Sequence, residues 1–221
     1  MAHPLWPLFD LRIRSPRLEL RLPTDEEIAT LAAIAREGIH PPGEMPFGVA
    51  WSTVPSPRFE REFARHHWDA RASWSPNRWH LALAVFRDGE PIGAQSLLGR
   101  DFAVLRTVKT GSWLGLTHQS QGYGIEMRAA VLGFAFDGLD AEVAETEAFL
   151  DNTRSAGVSR RLGYADNGMG RLAPEGVARE TRKFLMTVSD WRSRARAPVE
   201  IEGLDGCREL FGQAATGGDD R

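Results

Sequence analysis

Between an apolar run ending at Leu116 and a helical apolar run from Ile125 to Phe136 stands the hexapeptide Gln119-Ser120-Gln121-Gly122-Tyr123-Gly124. Its glycines let backbone come close to an anion, and the first turn of the following helix adds unpartnered N–H groups and the positive end of a dipole. A pyrophosphate could be gripped there without a basic side chain. The same letters also suit a plain strand-to-helix turn, so a second group of residues has to decide the chemistry.

That second group follows one strand later: Asp151-Asn152-Thr153-Arg154-Ser155, then Val158 to Leu162, then Gly163-Tyr164. Together the two segments resemble the GNAT superfamily of acyl-CoA-dependent N-acyltransferases, over most of the chain from Arg17 to Trp191. In that family a Q/R-x-x-G-x-G/A loop binds the pyrophosphate of coenzyme A, and an N-x-x-S/A helix ending in G-F/Y lies beside the pantetheine arm. Gln119, Gly122 and Gly124 fill the first pattern; Asn152, Ser155, Gly163 and Tyr164 fill the second. Gly111-Ser112-Trp113-Leu114 and Thr187-Val188-Ser189-Asp190-Trp191 look like the RimJ/RimL branch of ribosomal-protein N-terminal acetyltransferases. The surrounding segments resemble a group of actinobacterial GNAT proteins, some of them associated with succinyl-CoA.

The resemblance implies an α/β fold, with a mixed, mostly antiparallel central sheet flanked by helices. It implies that the strand ending at Leu116 splays from its neighbour, so that backbone around Trp113, Leu114 and Leu116 meets the pantetheine and thioester. Gln119, Gln121, Gly122, Tyr123, Gly124 and Ile125 would hold the pyrophosphate, with Asn152 and Ser155 on the pantetheine. Arg160 and Arg161 are suited to the 3′-phosphate, because a guanidinium matches phosphate geometry. A backbone donor aimed at the developing oxyanion can contribute on the order of 3 kcal/mol. Bulky replacements at Gly122 or Gly124 are therefore expected to weaken coenzyme binding far more than stability.

Many members take the proton for the leaving thiolate from a tyrosine seven residues after the asparagine. Ser159 stands there in this chain, so the branch resemblance makes Ser155 the candidate general acid, although a serine so placed also caps a helix. The branch glutamate before Gly-x-Trp is absent, with Lys109 near its position. Glu145, Glu147, Asp101, His118 and the pair His66-His67 are the titratable alternatives for a base, beside a water relay. Met45, Phe47, Trp51, Trp68 and Trp74 are candidates for the acceptor pocket. A succinyl donor would need a cation at the acyl end, from Lys109, Arg61, Arg65 or Arg71. A coenzyme-binding protein without turnover is a competing reading, and a dinucleotide-dependent oxidoreductase is a weaker one, since the G-x-G-x-x-G spacing is missing.

Positioning these residues requires a definite order of elements. Leu18 to Leu22 alternates as a strand, Thr24 caps a helix from Asp25 to Glu37, and a proline-rich connection runs from His40 to Pro57 before a helix from Arg58 to Ala72. Asp88-Gly89 joins strands Trp79–Arg87 and Glu90–Leu98 as a hairpin. A strand from Arg106 to Leu116 leads into the loop, then come the buried helix, a strand Glu142–Leu150, a helix Asn152–Leu162 and a strand Glu180–Val188.

We expect one domain over residues 1–191, an extension over 192–213 that packs back through Leu204, Leu210 and Phe211, and a disordered tail over 214–221. Net charge is −3 with no basic block, which gives no case for nucleic acid. No segment reads as a leader or as a membrane span, so a cytoplasmic location is expected. The single Cys207 rules out an internal disulfide, and no metal is expected. The expected partners are acetyl-CoA or succinyl-CoA and an amine acceptor, with a homo-oligomer left open.

Overall fold

In the computed structural model, which describes residues 3–213, nine strands form one sheet in the order β7-β8-β6-β5-β4-β3-β2-β1-β9. Their ranges are β1 Arg12–Arg14, β2 Glu19–Arg21, β3 Arg78–Arg87, β4 Glu90–Arg100, β5 Thr107–Leu114, β6 Val143–Phe149, β7 Ala165–Leu172, β8 Arg179–Thr187 and β9 Glu200–Glu202. Every neighbouring pair is antiparallel except β5 and β6, which run parallel. The sheet is therefore mixed and mostly antiparallel, as the family resemblance implies.

Alternation along β3 assigns the two faces. Trp79, Leu81, Leu83 and Val85 enter the larger core with Met127, Val131 and Phe134, whereas Ala84 and Phe86 join a smaller core with Leu31, Phe59 and Phe63. The first of these cores lies under α4 (Tyr123–Gly133) and a π-helical turn, Phe134–Gly138; the second lies under α1 (Asp25–Glu37) and α2 (Arg58–Ala72), and a four-residue α3 (Phe102–Leu105) joins β4 to β5. Thr24 and Glu27 close a reciprocal capping box at the start of α1, satisfying two end donors at once. Asp88 and Gly89 both adopt positive φ, 51° and 86°, as a tight hairpin between β3 and β4 demands.

Four elements departed from the sequence-based expectation. Strand β5 stops at Leu114, because the Leu116 N–H turns away to bond Gly38 O. β7 was not anticipated: it is an edge strand whose residues are almost all exposed, so it carries no apolar alternation and is held by pairing with β8. β1 and β9 are three-residue strands at the far edge, too short to show a period. β9 belongs to the C-terminal segment, pairing with β1, while Leu204, Cys207 and Phe211 are buried beyond it. Burial pushes the Cys207 thiol up to about 12, which leaves it protonated and inert. The tail 214–221 lies outside the described residues.

His66 and His67 of α2 meet His80 of β3, with ring centroids 5.6 Å (His66–His67) and 5.2 Å (His66–His80) apart. Burial pushes His67 down to about 3, with the charges of His66, Arg71 and His80 adding to the effect; His80 falls to about 4 for the same first reason. Below pH 6.5 the unfolded imidazole of His67 gains a proton that the folded one refuses, so the unfolded state binds more protons and stability falls as pH falls. The expected loss from His67 is on the order of 2–3 kcal/mol by about pH 4.5, at roughly 1.4 kcal/mol per pKa unit. Urea midpoints measured from pH 7 to pH 4.5 should drop, and His67→Leu should flatten that slope; an unchanged slope in the variant would assign the acid sensitivity to other groups.

Candidate active site

β5 stays paired with β4 as far as Leu114, and β6 with β8 as far as Phe149, yet the register between β5 and β6 ends at Lys109 and Glu145. Each strand follows its outer neighbour, so the middle of the sheet opens into a wedge. Gly115 N–H bonds Ile92 O, and antiparallel alternation therefore turns the backbone of Gly111 and Trp113 toward β4. The backbone groups of Ser112 and Leu114 face the wedge, where no strand meets them. A cleft of about 630 Å³ follows, with Thr110 to Leu114 on one wall and Thr146 and Glu147 on the other.

At the mouth of the cleft the chain turns through Ser120 (φ 60°) and Gly122 (φ 86°) into α4. Gly122 is the N-cap and brings no side-chain acceptor, so first-turn donors of α4 are left for a ligand. Gln119 Nε2 donates to Leu114 O at 2.9 Å and Ile39 O at 2.8 Å, tying the turn to the end of β5 and to the segment after α1. Arg17 clamps the outside: it pairs with Glu126 at 2.6 Å and lies 4.6 Å from the centre of the Tyr123 ring. The positive φ of Gly122 changes one expectation, because any L side chain there is strained, and stability would fall along with binding.

The facing wall is α5 (Thr153–Leu162), whose N-cap Asn152 accepts from Ser155 N–H at 3.0 Å. Within the described residues the Ser155 hydroxyl makes no hydrogen bond; it is half-buried and lines the cleft. Ser159, at the position where many relatives carry tyrosine, is fully buried and donates to Ser155 O at 3.2 Å. Gly157 also faces the cleft, and a Cβ added there would meet nothing within 4 Å. Across the rim, Arg154 of α5 pairs with Glu44 at 3.0 Å.

Of the residues singled out by sequence, Trp113, Leu114, Gln119, Gly122, Gly124, Ile125, Asn152 and Ser155 line this cleft. Four others do not. Leu116 is exposed on a short 3-10 turn, Gln121 bonds back to Thr117 O, Tyr123 is buried beneath Arg17 and Arg87, and Arg160 reaches Asp166 at 3.9 Å. Its neighbour Arg161 lines the cleft instead, since one helical step of about 100° turns one side chain in and the other out.

Among the aromatic candidates only Phe47 reaches the cleft, and Trp51 stacks behind it against Phe59, Phe63 and Trp113. Trp68 is 47% exposed and bonded to Asp25, while Trp74 packs with Trp79 and Phe211 in the other core. Glu147 is the one proposed base on the cleft wall, where it accepts a hydrogen bond from Thr181; Glu145 pairs with Lys109 at 3.4 Å. His40 and Arg128 line the cleft and were missed by sequence reasoning. His40 stands at the start of an irregular connection, and Arg128 is, with Glu126, one of two charges in an otherwise apolar and largely covered helical run, where nothing local marks it as a site residue. His40 Nε2 lies 2.8 Å from Ser52 Oγ.

Among the described residues no helix is long and apolar enough to cross a membrane, and no cluster of acidic, histidine and cysteine side chains could hold a metal ion. The architecture is shared with solved structures. A GCN5-related N-acetyltransferase from Brucella melitensis superposes with a TM-score of 0.66 at 22% identity, over 82% of this chain and 80% of that one. RimJ of Mycobacterium smegmatis, solved with CoA-disulfide, gives 0.64 at 20% identity over 89% and 93%. RimL, a ribosomal L7/L12 α-N-protein acetyltransferase solved with coenzyme A, gives 0.60 at 15% identity over 80% and 97%. At these identities the likeness is one of fold. The family model for the acetyltransferase (GNAT) domain matches residues 17–165, the span that holds both the wedge between β5 and β6 and the glycine turn at its mouth, and the chain belongs to that family.

Proposed function

We propose that this chain is a cytoplasmic N-acyltransferase that moves an acetyl group from acetyl-CoA to a primary amine on a protein N-terminus, a lysine or a small molecule. The observation that carries this reading is the wedge itself. The backbone of Ser112 and the N–H of Leu114, which no strand meets, open beside the anion-holding turn at Gly122, so one extended ligand can place a pyrophosphate at the turn and a thioester between the strands. Attack of the neutral amine on the thioester carbon forms the C–N bond and breaks the C–S bond, and the electron pair leaves on sulfur. The amine's surplus proton passes to water or to a carboxylate such as Glu147, and the sulfur takes a proton from the Ser155 hydroxyl, which solvent restores.

A succinyl donor is the variant reading. Lys109, Arg61, Arg65 and Arg71 offer it no support: Lys109 is engaged by Glu145, Arg61 and Arg65 are exposed on α2, and Arg71 donates to Pro23 O. Arg128 is the buried cation that does line the cleft. Parallel calorimetric titrations with acetyl-CoA, CoA, succinyl-CoA and NAD, followed by mass spectrometry of amine panels incubated with each acyl donor, test the proposal. Binding of CoA species but not NAD, with the mass of one acetyl group added to an amine, is the expected result. Tight binding without turnover on any amine would favour a coenzyme-binding regulatory protein, and no binding would remove the acyl-CoA reading.

A further inference from the structure

Arg128 sits on the inward face of α4, one helical turn beyond Gly124, and is 4% exposed. Its terminal nitrogens donate to Ser112 Oγ at 2.9 Å and Thr146 Oγ1 at 3.3 Å, one hydroxyl from each strand of the wedge. Neither partner carries charge. Nε has no partner, and no carboxylate among the described residues pairs with this guanidinium. Two more buried hydroxyls, Thr110 Oγ1 and Tyr164 Oη, have no well-aligned hydrogen bond, and Tyr164 lies close enough to both Arg128 and Thr110 for its hydroxyl, which is neutral, to interact with each.

A guanidinium remains protonated even in such surroundings, and a buried charge without a counter-charge is costly. Leucine or methionine would fill the space at lower cost. The other cations on the cleft differ: Arg154 is already paired with Glu44, and Arg161 stands at the exposed rim. The guanidinium therefore stands at the closed head of the wedge among neutral oxygens, with Thr146 in turn donating to Thr110 O at 3.2 Å, and what it lacks is an anion.

We propose that Arg128, held in place by Ser112 and Thr146, forms an anion-receiving subsite at the head of the cleft, which takes one negative charge carried at the thioester end of the bound ligand. The subsite rests on the acyl-CoA reading of the cleft. Two sources share this chemistry: the thiolate of coenzyme A, and a carboxylate closing the acyl chain. Arg128 is then a binding and positioning residue for whichever arrives.

Calorimetric titration of the full chain with desulfo-CoA, CoA, acetyl-CoA and succinyl-CoA, from pH 6 to pH 9, separates the sources. A thiolate site binds CoA about tenfold or more tighter than desulfo-CoA, with a gap that widens as pH rises; a carboxylate site binds succinyl-CoA about tenfold or more tighter than acetyl-CoA at every pH. Arg128→Gln should shrink that gap to within about threefold, and Arg128→Lys should keep part of it. Wild-type affinities that agree within about threefold across all four ligands would overturn the subsite while leaving acyl-CoA binding in place. This comparison needs no variant, so it decides even where Arg128→Gln does not fold. Failure to bind any of the four, desulfo-CoA included, would instead remove the acyl-CoA reading and the subsite with it.

Discussion

A Gly157→Leu variant is expected to fold at least as well as the parent and to bind coenzyme A roughly 100-fold more weakly, a difference of about 2.7 kcal/mol. Gly157 lies inside α5, where glycine is less favourable than alanine by up to about 1 kcal/mol, so a side chain should help the helix. An added Cβ meets nothing within 4 Å, which removes the usual steric objection. The space it enters is the cleft, on the wall opposite β5. Leucine there would occupy the channel that the pantetheine arm needs, and two ligands of the same volume cannot share it.

This position separates binding from folding better than the glycines of the turn. Gly122 has a φ of 86°, so a side chain there strains the backbone whether or not a ligand is present. At Gly124 an added Cβ would make ordinary contact with Val158 at 3.9 Å and Leu114 at 4.0 Å, leaving little room for more. Titration with coenzyme A alongside a thermal melt checks the expectation. Unchanged affinity with a normal melt would mean that the ligand does not run along α5.

Replacing Ser155 with alanine should lower turnover by about 100-fold, at the low end of what general acid catalysis contributes, and leave coenzyme affinity within about twofold. The fold has little to lose from the change. The contact that Ser155 makes with Asn152 runs through its backbone N–H, which alanine keeps, and the hydroxyl has no hydrogen bond within the described residues. A free hydroxyl on the cleft wall is what a proton donor to the sulfur requires, whereas Ser159 is buried behind it and directed to Ser155 O. Steady-state rates and calorimetric affinities for the same two proteins provide the test. An unchanged rate would remove Ser155 as the acid and transfer its role to solvent.

Local periodicity made most of the scaffold readable. α1 and α2 begin and end where Thr24, Gly38 and the apolar spacing place them, and the β3–β4 hairpin turns at Asp88-Gly89, because caps and tight turns are set by residues adjacent in sequence. The glycine turn and the Asn152–Ser155 cap could be read for the same reason. Edge strand β7 could not, since its residues are exposed on nearly every position and only pairing with β8 holds them extended.

What the tertiary structure alone decided is which side chains share the cleft. Arg160 and Arg161 are neighbours in sequence, and helix phase sends the first to Asp166 and the second to the cleft. Trp51 and Trp68 stand in one aromatic-rich stretch, yet Trp51 packs against Trp113 and Trp68 faces outward beside Asp25. Arg128 reads as one charge in an apolar helix until β5 and β6 part and bring Ser112 and Thr146 to its two sides. The sequence by itself determined the helices, the longer inner strands, the family and the turn at the mouth of the cleft, through interactions that span a few residues. Only the fold decided the occupants of the wedge, because the wedge exists where two strands, each bound to a different neighbour, stop meeting each other.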